Sequence, residues 1–268
     1  MVKPVVRSLS VVVALLFLAS CGSGGGLGGG SSISLDEEWQ LGNQMAAQVA
    51  QQVHIVNDPQ ALAYIRDAGE RLHAQTSVAN RPFEFEIVDD PSVNAFSIPG
   101  GHVYVNSGLI GTAGKADELA AVLAHEISHI TARHVIKQAE KQQEISTIGA
   151  ILLGQNPGAL QSLVAQVLAG GAMARFSRAD EKQADDLGLD LMTKAGFDPH
   201  GMLDFFQRLI ALDKGGNGAA ARFFADHPGT QDRIDDISGR INKMSRTSGI
   251  VDEPEFQAIR GHYPNAAH

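Results

Sequence analysis

Residues 125–129, His-Glu-Ile-Ser-His, lie in the middle of Lys115 to Glu144, a stretch without Pro or Gly whose apolar residues recur at helical spacing. This pattern predicts one long central helix. On a helix, positions 125 and 129 lie one turn apart on the same face, so both imidazoles can reach one metal ion. Glu126 stands beside that face, where its carboxylate can act as general base on a water that the metal activates.

A catalytic zinc site needs a third protein ligand, and the helix predicted after Ser177 offers candidates. The sequence Glu181-Lys-Gln-Ala-Asp185 places two carboxylates four residues apart on one helical face. One of them can bind the metal while the other accepts the N–H of a ligating imidazole. The alternative is a solvated acidic first turn, and Asp180 and Asp186 fit that alternative better.

Two other ligand patterns are disfavoured. A metzincin site would need Gly at position 132 and His at position 135, where the chain has Ala132 and Val135. His134 follows His129 by five residues, about 140° around a helix, so we expect it to face away from the site.

The surrounding patterns predict a helix-rich α+β domain with a small sheet of short strands. Strict alternation at 83–88 and the β-rich residues 103–105 predict two or three strands, with a turn at 99–101. Caps and apolar stripes predict helices at 35–53, at 59–76, from Ser177 to Gly196, from Pro199 onward, and at 230–244. The tail beyond 244 contains few apolar residues.

Residues 145–174 contain no charged side chain. Asn156-Pro157-Gly158 divides them into pieces of about 11 and 16 residues, each shorter than a membrane span. The stretch therefore predicts a helical hairpin that covers the site or rests on the bilayer. We favour a mobile lid or a packed hairpin over insertion into the membrane.

Four motifs in this order resemble the HtpX-like zinc metallopeptidases, which are gluzincins related to the CAAX prenyl endopeptidases. The motifs are Asn-Ala-Phe-x-x-Pro-Gly-Gly-x-x-Tyr-Val at 94–105, the metal pair at 125–129, the carboxylates at 181–185 and His-Pro at 227–228. The likeness spans roughly residues 36–244, and the chain is most similar to the short lipoprotein branch. It implies a zincin-like peptidase fold.

The resemblance assigns the metal site residue by residue. It implies one Zn²⁺ per chain on His125, His129 and Glu181, with Glu126 as the base. Asp185 is implied to support a ligating imidazole from behind.

The resemblance also implies that the segment from Asn94 to Asn106 contains an edge strand on which an extended peptide is laid by β-augmentation. The residues assigned to this substrate strand are Asn94, Ala95, Phe96, Gly100 and Gly101. The two glycines would permit close approach of a backbone, and an ordinary hairpin turn is the alternative for Pro99 and Gly101.

The same likeness gives His227 a role, and the charge of Arg233, six residues later, suggests another. His227 is expected near the zinc, either as a self-inhibitory plug in the open coordination position or as a group that stabilises the oxyanion. Arg233 could supply positive charge to the tetrahedral intermediate. The alternatives are a capping histidine without a catalytic role and a surface salt bridge.

Residues 1–20 have the form of a secretory signal, with Lys3 and Arg7 before an apolar run and no acidic residue. Leu-Ala-Ser-Cys at 18–21 resembles the bacterial lipoprotein signal, which predicts an acylated Cys21 followed by a Gly/Ser-rich tether, together 21–34. The peptidase domain then comprises 35–268. Gly after Cys21 resembles the outer-membrane sorting pattern, and an ordinary signal followed by a stray Cys is the alternative.

The composition excludes several functional classes. The chain has 21 Lys and Arg against 30 Asp and Glu, a net charge of -9, and no basic run, so nucleic-acid binding is disfavoured. Its one cysteine excludes an intramolecular disulfide framework and a Cys-rich metal site.

The resemblance and the leader together imply a lipid-anchored zinc endopeptidase of the bacterial envelope. We expect it at the outer membrane facing the periplasm, with unfolded or misassembled envelope proteins as substrates. The first alternative is a chaperone-like assembly factor for outer-membrane proteins whose metal site is plugged, and the second is a cell-wall peptide hydrolase. The intact Glu126 favours an enzyme, since a structural metal site needs no base.

Overall fold

The computed structural model describes residues 32–169, 176–214, 220–228, 230–245 and 247–263. The predicted signal peptide, Cys21 and most of the tether lie outside these ranges. The helices and strands in chain order are α1 Leu35–Val49, α2 Pro59–His73, β1 Glu84–Val88, β2 Ala95–Ile98, β3 His102–Asn106, α3 Ser107–Thr112, α4 Ala116–Thr131, α5 His134–Lys141, α6 Ile145–Leu152, α7 Pro157–Leu168, α8 Arg178–Ala195, α9 His200–Lys214, α10 Ala221–Asp226, α11 Thr230–Ile241 and α12 Pro254–Arg260. The helix-rich, zincin-like α+β class is confirmed.

The helix α4 forms the centre of the domain, and every residue from Ala116 to Ile130 is buried. It packs against α2, α8 and α9 and against β2 of the sheet. The sheet has the order β1-β3-β2, in which β1 runs parallel and β2 antiparallel to β3. An apolar core between α2, the sheet, α8 and α9 therefore surrounds the helix that carries the HExxH motif.

The central helix is shorter than the sequence predicts. It ends at Thr131, and Arg133 adopts a left-handed conformation with φ of 59° before α5 begins. Arg133 donates hydrogen bonds to the buried carboxylate of Glu38 in α1 and to the carbonyl of Ile33. The prediction of one helix through Glu144 is thus wrong, because contacts with a distant part of the chain hold the break.

The uncharged stretch folds as the predicted helical hairpin, α6 and α7, as far as Leu168. Its apolar residues pack on α1 in a second buried cluster, to which Ile148, Ile151, Leu163 and Val164 belong. Within the described ranges, no helix is long and apolar enough to cross a bilayer.

Local signals placed most helix beginnings correctly, whereas the helices predicted to end at 53, 76 and 244 end at Val49, His73 and Ile241. Ser34 and Glu37 form a capping box on α1, Asp58 caps α2, and Gly196 ends α8 in the left-handed conformation. The helix α12 was not predicted. Its two apolar anchors, Phe256 and Ile259, are buried near α2, and two residues are too few to give a periodic pattern.

Asp117 in the first turn of α4 gives a test of the packing. The residue is 1% exposed, its Oδ1 has no hydrogen-bond partner in the described part of the chain, and burial raises its pKa to about 7. Since the folded-state pKa lies above the unfolded value, this group's contribution to stability is lost as the pH rises toward 7. We expect Asp117→Asn to be more stable than the wild type at pH 8, and the difference to shrink below pH 7 by up to about 1.4 kcal/mol per pH unit.

Denaturant unfolding of both proteins at pH 5, 6, 7 and 8 would measure this difference. Asp67→Asn is the matched control, because the Asp67 side chain is 68% exposed. A difference between Asp117→Asn and the wild type that does not change with pH would contradict the raised pKa.

Candidate metal centre

Three of the predicted ligands converge between α4 and α8. The Nε2 atoms of His125 and His129 lie 3.0 Å apart, and each lies 3.5 Å from a carboxylate oxygen of Glu181. All three side chains are buried. A tetrahedral zinc ion with bonds of about 2.0–2.1 Å has donor atoms about 3.3 Å apart. Two imidazoles and one carboxylate at these separations therefore fit one zinc ion.

His227 completes the cluster from the end of α10. Its Nδ1 lies 3.3 Å from His125 Nε2 and 3.2 Å from both oxygens of Glu181, and donor atoms of all four residues lie within 4.8 Å of one another. The structure thus places His227 beside His125, His129 and Glu181. Its imidazole could occupy the position that a catalytic zinc site keeps open for water.

Close packing of α8 on α4 brings Glu181 to the two histidines. Ala184 is fully buried, and a Cβ atom on Gly188 would stand 3.4 Å from the backbone nitrogen of His125. Larger residues at these two positions would separate the helices and move Glu181 away from the imidazoles.

Asp185 and Arg233 lie behind the ligands. Asp185 Oδ1 is 3.0 Å from His125 Nδ1, so this carboxylate can hold the imidazole with Nε2 toward the metal. Arg233 donates to both oxygens of Asp185 at 2.7 Å, and its Nη1 forms an ion pair with Glu181 Oε2 at 2.7 Å. Burial alone would raise the pKa of Asp185, but the Arg233 guanidinium holds it below its ordinary value.

Arg233 is 5% exposed, which excludes the alternative of a surface salt bridge. Its guanidinium also lies 3.4 Å from the carbonyl of His227 and 4.6 Å from the centre of the Phe206 ring. Its contacts are thus with carboxylates that support the metal site, and its role toward a reaction intermediate stays a prediction.

His134 belongs to the site, and the expectation that it faces away is wrong. Its Nδ1 lies 2.8 Å from His129 Nδ1, and its Nε2 lies 3.1 Å from Gln183 Oε1. The break at Arg133 brings the first residue of α5 back toward α4, which an uninterrupted helix would not do. Phe176 stacks on the His129 ring, with ring centres 4.0 Å apart.

Glu126 has one fixed and one free carboxylate oxygen. Oε2 accepts a hydrogen bond of 2.8 Å from the Ser97 hydroxyl. Oε1 is buried without a hydrogen-bond partner among the described residues, and it lies 3.5 Å from His227 Nε2. Burial raises the pKa of Glu126, although His227 and His125 oppose the shift. A raised pKa suits a base that must later release its proton.

Ser97 was not predicted from the sequence, because it stands at an unspecified position (x) of the motif at 94–105. The alternation of β2 could have indicated it, because Ala95 and Ser97 share one face of the strand. A hydroxyl on that inward face needs a buried partner, and Glu126 provides it.

The edge strand β2 borders a groove beside Glu126. It pairs with β3 on one side, and no strand of the described ranges pairs with its other side. The groove is lined by Asn94, Ala95, Phe96, Ser97, Glu126, Val167, Phe176, Arg222, Asp226 and His227. The predicted substrate-strand residues Asn94, Ala95 and Phe96 therefore line the same groove as Glu126.

Gly100 and Gly101 lie in the turn after β2, with φ of 81° and 87°. A Cβ atom on Gly100 would stand 3.1 Å from the backbone of Trp39, and one on Gly101 would stand 2.5 Å from the Pro82 carbonyl. The close approach that these glycines permit is therefore to the protein's own backbone.

Residues 59–241 match the sequence model described as Peptidase family M48. The chain belongs to peptidase family M48. The metal of this family is zinc, so the expected zinc cofactor and the assignment to the zinc metalloendopeptidases are confirmed at the level of the family.

Relatives of this M48 chain occur in bacteria and mitochondria. It is 32% identical over 228 residues to the Beta-barrel assembly-enhancing protease of Escherichia coli (strain K12), covering 82% of this chain and 47% of that protein. The protein of the same name from Yersinia pestis matches equally. The Mitochondrial metalloendopeptidase OMA1 of Schizosaccharomyces pombe is 34% identical over 171 residues, 64% of this chain and 50% of that one. The chain thus spans about half the length of these relatives.

The support that Asp185 gives to His125 can be measured through metal affinity. We expect Asp185→Asn to bind zinc about 10–100-fold more weakly, because the amide no longer holds the imidazole as an ionised acceptor. Competition with a chromogenic chelator at pH 7 gives the affinity. Asp186→Asn is the matched control, since the neighbouring Asp186 side chain is 41% exposed. Equal affinities for Asp185→Asn and the wild type would contradict this role.

Proposed function

We propose that this M48 chain is a membrane-anchored zinc endopeptidase of the bacterial envelope that cleaves unfolded or misassembled proteins. One observation carries the proposal: His125, His129 and Glu181 converge beside a buried carboxylate with a free oxygen, at the edge of a sheet. This combination provides metal ligands, a general base and a surface for an extended peptide in one place.

Zinc bound by His125, His129 and Glu181 would polarise the scissile carbonyl and lower the pKa of water at the site. Glu126 Oε1 is free to take a proton from the attacking water, while Ser97 holds Oε2. The same carboxyl then gives this proton to the leaving amide nitrogen. The C–N bond breaks, and the amine leaves with the proton that the water lost. Asp185 keeps His125 oriented throughout.

The shape of the substrate site supports unfolded proteins as substrates. An extended peptide can add to the free edge of β2 through main-chain hydrogen bonds, with Asn94 to Ser97 beside Glu126. A segment already paired in a folded protein cannot offer these groups. The binding mode thus selects for chain segments that have left their native structure.

We further propose that the resting protein is latent. The His227 imidazole stands at the open corner of the ligand set, and Val167 and Phe176 border the groove over β2. Both features would have to move before a peptide carbonyl could reach the metal. The same observation favours the second candidate, an assembly factor that binds unfolded outer-membrane proteins while its metal site stays plugged.

The anchor belongs to the proposal as well. We propose a signal peptide at 1–20, an acylated Cys21 at the start of the tether 21–34, and the peptidase domain from 35 onward. The described chain begins at the end of this tether, where Ser32 donates to Glu140 at 2.8 Å. The name of the Escherichia coli relative refers to β-barrel assembly, which supports an outer-membrane context for this chain.

Two substitutions in the full-length, zinc-loaded protein test separately the role of Glu126 as base and the role of His227 as plug. We expect Glu126→Gln to keep one zinc and lose at least about 100-fold of its activity on casein, because the base is removed and the ligands remain. We expect His227→Ala to keep the metal and to cleave casein several-fold faster than the wild type. Zinc content is determined in each preparation.

His262→Ala serves as the control, because His262 is a surface residue beside Asp58. Absence of cleavage by both the wild type and His227→Ala, with zinc bound, would contradict the protease and support the assembly factor. In that event Glu126→Gln should restore porin assembly in cells that lack the wild-type protein.

The anchor is tested by mass spectrometry of the mature protein from bacterial membranes. We expect its first residue to be Cys21 with acyl chains on sulfur and nitrogen, and Cys21→Ser to appear in the soluble periplasmic fraction. Several buried acyl chains make release negligible, since each CH₂ contributes about 0.8 kcal/mol. An unmodified Cys21 in membrane-bound protein would contradict the anchor.

A further inference from the structure

Two buried oxygens beside the groove that contains Glu126 have no hydrogen-bond donor among the described residues. Asp226, the last residue of α10, is 6% exposed, and its Oδ2 accepts from Asn94 Nδ2 at 2.9 Å and from Arg222 Nε at 3.3 Å. Asp226 Oδ1 and Asn94 Oδ1 are buried without a partner in the described part of the chain. Buried hydrogen-bond acceptors normally have a donor, so a bound ligand can supply the donor that these two oxygens lack.

Both residues line the groove that also contains Glu126 and His227. Val167 and Phe176 contribute apolar surface to the same groove. A peptide on the edge of β2 would thus pass an acidic, acceptor-rich spot beside apolar side chains. A Lys or Arg side chain fits such a place, because its methylene stem can lie on apolar surface while its head donates several hydrogen bonds.

The protein already brings one guanidinium to this carboxylate. Arg222 lies one turn before Asp226 on α10, and its Nη2 donates to the carbonyl of Leu168 at the end of α7. Its single bond to Asp226 is long, and its side chain is 36% exposed. Arg222 therefore pairs with the Asp226 carboxylate through Oδ2 and does not donate to Asp226 Oδ1.

Asp226 and Asn94 lack a hydrogen-bond donor, not an acceptor. Two of the guanidinium nitrogens of Arg222 already have acceptors, Asp226 and Leu168, whereas Asp226 Oδ1 and Asn94 Oδ1 have no donor among the described residues. A substrate carboxylate would meet Asp226 as a like charge. A substrate guanidinium or ammonium would instead complete the hydrogen bonding of Asp226 and Asn94.

We propose that Asp226 and Asn94 form a specificity subsite for an Arg or Lys residue next to the scissile bond, and that Arg222 competes with this residue for Asp226. The inference rests on the proposed endopeptidase function and names a substrate class for it. Asp226 is the specificity-determining residue.

The test uses quenched-fluorescent peptides without charged residues, in which each central position in turn carries Arg or its neutral isostere citrulline. With the full-length zinc-loaded protein, we expect kcat/KM to favour Arg over citrulline by about tenfold at one position, the order expected for a charge-assisted hydrogen bond. Asp226→Asn should lower this ratio to about one. Arg222→Gln should raise it, because the competitor for Asp226 is gone.

Asp235→Asn on the exposed surface of α11 is the matched control, and its ratio should equal that of the wild type. A wild type that cleaves both peptides without preference would overturn the subsite and leave the protease intact. An unchanged ratio in Asp226→Asn would do the same. A preference for Glu at that position that disappears in Arg222→Gln would identify Arg222 as the recognition group instead.

Binding provides a readout that does not need turnover. The Arg and citrulline peptides are titrated onto the Glu126→Gln protein with and without Asp226→Asn, by fluorescence anisotropy. We expect tighter binding of the Arg peptide only when Asp226 is present. If no peptide is cleaved but this difference appears, the subsite stands and the protease proposal fails. Equal binding of both peptides together with equal cleavage would overturn the subsite.

Discussion

The ion pair between Arg233 and the two carboxylates of α8 is the interaction on which the site depends. The Arg233 guanidinium holds Asp185 through two hydrogen bonds and Glu181 through an ion pair at 2.7 Å. Without it, the buried Asp185 carboxylate would lose the guanidinium that compensates its charge, which is strongly destabilising. Because Asp185 in turn contacts His125, one arginine on α11 fixes both a ligand and the residue that orients another ligand. The site is therefore assembled by three helices that meet through charge, within an apolar core that sets their spacing.

Much of this arrangement was predictable because its signals are local. The spacing of His125 and His129 places them on one helical face, and the spacing of Glu181 and Asp185 does the same on α8. Caps placed the beginnings of α1, α2 and α8 within a residue or two. In each case the residues that carry the signal are neighbours on the element that they predict, so no knowledge of the rest of the fold is needed.

The features that escaped prediction depend on partners far along the chain. The break after α4 is held by Arg133 and its contact with Glu38, 95 residues away, and nothing in the local sequence marks it. His134 joins the site only because of that break. Ser97 likewise gains its meaning from Glu126, 29 residues later. Periodicity indicates which face of an element is buried, but it does not indicate which polar group of another element contacts that face.

Under the proposed function, the six-residue helix α10 brings together a specificity subsite, a contact with the hairpin and the His227 plug. The sequence alone gives no reason to connect the three. A helix this short is not stable by itself, so its position depends on its contacts. Phe223 packs on two aromatic rings of α9, Arg222 donates to the end of α7, and Asp226 accepts from Asn94, the residue before β2. His227 follows immediately and stands among the ligands. Under the proposed function, a peptide that enters along β2 meets the specificity subsite, the contact with the hairpin and the plug on one element. Because Asp226 directly precedes His227, binding energy gained at Asp226 is then available to displace His227 from the metal position.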